Sequence, residues 1–172
     1  VLDRLRLSDK AALAVIAAII IGSFIDIPLG PRIVINLGGL ITVGLAGYVL
    51  LGAGTGYEKI RAIVAAGVTA LALFLAGRFL GAEPENMFID PLYIYPIVAG
   101  IVGYLAGRSR RGAFFAAVIG VLTLDVGQYF YLVRAGQVGT VHIGGAGAFD
   151  ALILAGILAV LLAELIGETL ER

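Results

Sequence analysis

The sequence predicts an all-α membrane protein: a polytopic bundle of six transmembrane helices with both termini in the cytoplasm. Three observations predict it. Of 172 residues, 60% are hydrophobic and 14% charged, with a mean hydropathy of +1.05; soluble domains lie near half apolar and a quarter charged. The apolar residues form six runs, about 11–28, 33–53, 60–80, 91–107, 112–134 and 148–167, each near the ~20 residues that cross hydrocarbon. The basic residues then divide between the two sides. Arg4, Arg6, Lys10, Lys59, Arg61, Arg108, Arg110, Arg111 and Arg172 fall on one side, Arg32, Arg78 and Arg134 on the other. Nine against three sets the cytoplasmic side, and an odd number of spans would spoil the division. A soluble domain, a disordered chain and a fibre are excluded. Membrane lipid is the expected surrounding, and a net charge of +0 argues against nucleic acid as a partner.

The first run follows Arg4, Arg6 and Lys10 like a signal peptide, but no small-x-small cleavage site follows it, so it reads as a retained helix. It ends in Pro28-Leu29-Gly30-Pro31, a turn into the second run. The chain opens on Val1 rather than Met, and further N-terminal sequence is expected. Loops of ~5 to 15 residues leave one membrane domain over 1–172. Phe24-Ile-Asp-Ile-Pro-Leu29 and Phe88-Ile-Asp-Pro-Leu92 suggest a repeat with a period near 64. The plainer expectation is that Asp26 and Asp90 are helix N-caps with Pro in the first turn. Asn36, near the start of the second run, is expected to hydrogen-bond between helices. Gly103-x-x-x-Gly107 reads as a packing position, and 25 glycines, about twice the usual ~7%, suit close helix contacts.

Asp125 needs another explanation. It lies nine residues before Arg134 in the fifth run, ~13 Å below the helix end at 1.5 Å per residue, so it cannot be a cap. An ionisable group at that depth costs roughly 2.5–3.5 kcal/mol on insertion scales and marks function. Gln128 and Tyr129 follow at i+3 and i+4 and share its face. Downstream, Gly144, Gly145 and Gly147 lead to Asp150. With the loop at the surface, Asp150 is a third N-cap, roughly 10 Å from Asp125 along the bilayer normal. With the glycines dipping inward, the two carboxylates approach each other, provided protein or water covers the loop backbone. His142, the single histidine, has no companion at ligand spacing, and Glu164 near the inner end reaches the headgroups. No metal site and no cofactor motif is present. Gly144-x-x-Gly147 is no dinucleotide fingerprint, because a strand is not expected before it. Zero cysteines exclude thiol chemistry.

With Leu124-Asp125 in one span and Ile143-Gly-Gly-Ala-Gly-Ala-Phe-Asp150 opening the next, the chain resembles a "domain of unknown function" family of prokaryotic integral membrane proteins. The Phe24–Leu29 turn and Ile35-Asn36-Leu37-Gly38-Gly39 extend that resemblance over most of the sequence. It implies location in the cytoplasmic membrane of a prokaryote and no known activity. Gly147-Ala-Phe-Asp150 is also similar to the Gly-x-Gly-Asp signature of intramembrane aspartyl proteases. Phe149 replaces the second Gly, and their Pro-Ala-Leu motif is absent.

The first functional expectation is an intramembrane aspartyl hydrolase. Asp125 and Asp150 would share a proton, one acting as acid and the other activating water. Gln128 and Tyr129 would orient water or substrate, and Gly144, Gly145 and Gly147 would admit a membrane-embedded peptide. The alternative is a small solute or cation/proton-coupled transporter or channel lined by Asp125, Gln128 and Tyr129, for which six spans would call for a homodimer. A non-catalytic membrane scaffold is the third reading.

Overall fold

The structure, a computed structural model, describes residues 9–52, 55–80, 91–143 and 151–170. Among them the order is α1 (Asp9–Gly22), β1 (Asp26–Gly30), β2 (Ile33–Asn36), α2 (Leu37–Leu51), α3 (Gly56–Leu80), α4 (Pro91–Gly107), α5 (Arg110–Ala135), β3 (Val141–Ile143) and α6 (Ala151–Leu170). The six helices follow the six apolar runs, so the all-α architecture stands, with one small sheet added. Helices α3, over Gly56–Phe79, and α5 are long and apolar enough to cross a membrane, whereas the other four have shorter apolar stretches.

The sheet corrects the first two boundaries. Helix α1 stops at Gly22 instead of reaching residue 28, and α2 begins at Leu37 instead of 33. Between them β1 and β2 form an antiparallel hairpin that pairs Asp26 with Asn36 and Ile27 with Ile35, with an irregularity between Pro28 and Gly30. Pro28 has no N–H and sits on the edge strand, where one is dispensable. The β-branched run Ile33-Val34-Ile35 occupies the centre. Strand β3 pairs parallel to β2, Ile33 with Val141 and Ile35 with Ile143, so a strand does precede Gly144. The proposed repeat fails structurally: residues 26–30 form a strand, whereas Pro91 and Leu92 open α4.

Asp26 is not a helix cap. The cap is Asn36, whose Oδ1 accepts from Gly39 N–H at 3.2 Å. Its Nδ2 donates to the Ser23 carbonyl (2.9 Å) and to Asp26 Oδ1 (2.8 Å). Asn36 thereby ties the end of α1 to the start of α2, which is the interhelical role expected of it, with capping added. Gly38 allows the approach, because a Cβ there would lie 2.6 Å from the Ile19 carbonyl oxygen.

Helix α5 is central and packs against α2, α3, α4 and α6. The core is built of small side chains, Ala99, Ala113, Ala117, Val118, Ala155, Ala159 and Val160 among them, which bring helix backbones close. Gly103 and Gly107 pack as expected: a Cβ at Gly103 would lie 3.1 Å from Ala117 N, and one at Gly107 2.6 Å from Ala113 N. Helices α3 and α5 run in the same direction. Glu58 bonds Ser109, 51 residues later, and Thr69 lies over Gly120 at that same offset.

Candidate functional site

Asp125 sits inside an unbroken helix. Ser109 caps the start of α5, its Oγ accepting from Gly112 N–H at 3.0 Å. Gly136 ends the helix in the left-handed region at φ 63°, and Gln137 N–H donates to the Leu132 carbonyl at 3.2 Å, a glycine C-cap. Asp125 is therefore ten residues, ~15 Å, from the last residue of α5.

The surroundings change along this helix. Residues Gly112 to Val121 are largely buried, and from Leu122 to Ala135 none is. Asp125 is half-buried just past that boundary, Tyr129 is half-buried and Gln128 is exposed. Neither Asp125 nor Glu164 is free of interactions. Phe114, Val118, Val121, Asp125 and Tyr129 fall on one face by the 3.6-residue period. Phe114 and Val118 show where that face points, for a Cβ on Gly156 of α6 would lie 2.7 and 2.8 Å from them. Asp125 thus lies on the α6 side of α5. Helix α6 is entered from the sheet end and runs back along α5. Its first residue, Ala151, five positions before Gly156, falls about one turn, ~6 Å, below Asp125.

Of the residues singled out in the sequence, Asp125, Gln128 and Tyr129 occupy one stretch of α5. The Tyr129 ring meets Phe130 edge-on at 5.7 Å between centroids. Gly144, Gly145, Gly147 and Asp150 lie outside the described residues, as does Asp90. The backbone of His142 pairs with Val34 across the sheet.

The profile of a family described as "Protein of unknown function (DUF1614)" matches residues 27–162. The chain belongs to that family. Its DUF1614 region runs from β1 into α6 and includes every residue placed in the candidate site, so the resemblance to a family of unknown function holds. No curated protein and no solved structure matches the chain, and nothing in these comparisons bears on the likeness to intramembrane aspartyl proteases.

Sequence reading missed the capping role of Asn36 and the use of arginines at the opposite end. Arg61 Nε donates to the Ala106 carbonyl (3.0 Å) and Arg111 Nη1 to the Gly52 carbonyl (2.7 Å), closing the ends of α4 and α2. The signal for the first was present, since Asn three residues before Gly39 at the head of an apolar run is a capping pattern.

Proposed function

We propose that this protein is an integral membrane hydrolase of the aspartyl type, with Asp125 and Asp150 as a shared-proton pair acting on a membrane-embedded peptide. The observation that carries the reading is the position of Asp125: half-buried, on the face of α5 turned toward α6, about one turn beyond the residue that follows Asp150. Two carboxylates at such a junction cannot both ionise easily, so one remains the acid while the other takes a proton from water. Gln128 and Tyr129, on the next turn, orient the water or the peptide carbonyl.

This reading includes six spans in a prokaryotic cytoplasmic membrane, both termini inside. Helix α2, at 15 residues, is ~22 Å long and short of the ~30 Å hydrocarbon core. The sheet at the head of α2 adds depth, with β2 paired on both sides, and the outer edges of β1 and β3 are to be covered by protein or water there. The test is cleavage of a lipid-embedded reporter peptide. Asp125→Asn and Asp150→Asn should each reduce cleavage to background while leaving the protein monodisperse. Full activity in either variant ends the proposal.

A second reading, a cation- or proton-coupled transporter, is favoured by one observation. The last 14 residues of α5 include no buried position, and Gln128 is exposed one turn from the half-buried Asp125. In proteoliposomes this reading predicts Asp125-dependent flux with no cleavage of the reporter.

A further inference from the structure

We propose that the turn between α4 and α5 binds the phosphate of an anionic lipid headgroup. The proposal rests on the chain being membrane-embedded and is independent of the chemistry at Asp125. Lys59, Arg61, Arg108, Arg110 and Arg111 gather at this end of the bundle, with Glu58 and Glu164 among the acids there. Arg61, Arg111 and Glu58 have structural work, and Glu164 is engaged as well. Arg61 and Arg111 close helix ends, and Glu58 accepts from Ser109 Oγ at 2.8 Å. Arg108 and Arg110 have none of this kind.

Arg108 is exposed and holds φ 54°, the one positive φ outside glycine among the described residues. Gly or Asn occupies that region more readily, so the turn carries an arginine where the backbone favours something else. Arg110, two residues on, is half-buried, and its Nε is buried without a hydrogen-bond partner. Two arginines within three residues of the turn, one exposed and one half-buried, supply the charge-assisted donors by which arginines hold phosphate oxygens.

The neighbouring surface selects a lipid over a free anion. Ile101 and Leu105 on α4, and Leu161 and Leu165 on α6, are exposed at i, i+4 spacing. Helices α4 and α6 pack together, and both stripes run up to the end that carries the turn. Acyl chains lying on them would place their phosphate at Arg108 and Arg110.

The experiment uses the full chain in detergent, with phosphatidylglycerol, phosphatidylcholine or inorganic phosphate added, read by native mass spectrometry and thermal unfolding. Phosphatidylglycerol should give retained adducts and a higher Tm, and the other two should give neither. Arg108→Gly should leave the lipid-free Tm equal or higher, since it relieves the left-handed turn, yet weaken phosphatidylglycerol binding about fivefold. A purely structural arginine would not separate those two readouts. Arg110→Gln should weaken binding similarly, with Arg110→Lys retaining part of it. Unchanged phosphatidylglycerol binding in Arg108→Gly, or equal retention of phosphatidylcholine, overturns the proposal. A full Tm shift from inorganic phosphate alone overturns the lipid as the source.

Discussion

Between Gly112 and Val121, α5 buries eight residues; between Leu122 and Ala135, in the same helix, it buries none. The first half is rich in Gly and Ala, and its neighbours come to backbone distance. The second carries Leu122, Tyr129, Phe130, Tyr131 and Leu132, and Phe130 and Tyr131 are exposed. The difference shows how one helix can serve as both pillar and site. A polar group among the packed alanines would have to displace a neighbour, whereas Asp125 lies where packing has just ended and solvation or a second carboxylate can reach it.

That contrast can be broken at two glycines seven residues apart. Gly120→Ala has the larger effect, since its Cβ would lie 2.6 Å from Thr69 Cγ2, and overpacking of this kind costs about 1–3 kcal/mol. A lower Tm in detergent is the expected result, and an unchanged Tm would mean that α3 and α5 are less tightly joined than the geometry indicates. Asn36→Ala comes next. It removes the α2 cap and leaves the Ser23 carbonyl without its amide donor, a loss of about 1–2 kcal/mol, read in the same unfolding measurement. Gly127→Ala is the smallest and has the opposite sign. Nothing lies within 4 Å of its Cβ position, so helix propensity alone predicts a gain of about 1 kcal/mol. A loss there would show that the open half of α5 is covered after all.

The helices were legible because hydropathy runs report burial or lipid contact directly; the run at 91–107 coincides with α4 at both ends. The sheet was not, since Ile33-Val34-Ile35 is apolar enough to pass for the head of a span, and only pairing with Asp26–Gly30 and Val141–Ile143 makes it a strand. Asp125 stood out because an acid far from any helix end has no local explanation. The use of Arg61 and Arg111 was invisible, because their partners are carbonyls 45 and 59 residues away, and basic residues at a membrane face already have an explanation in orientation. Asp26 misled for a related reason: its spacing to Pro28 resembles a cap, and only the hydrogen bond from Asn36 reveals otherwise.

The parallel pairing of β2 with β3 has a consequence for biosynthesis. Ile33 meets Val141, so the hairpin leaves the ribosome more than a hundred residues before the strand that completes it. At ~5–20 residues per second, its free edge waits roughly 5–20 s while four further helices are made. An early product ending before residue 141 would carry that edge uncovered, open to strands of other nascent chains. Final closure of the sheet thus reports that α5 has been delivered.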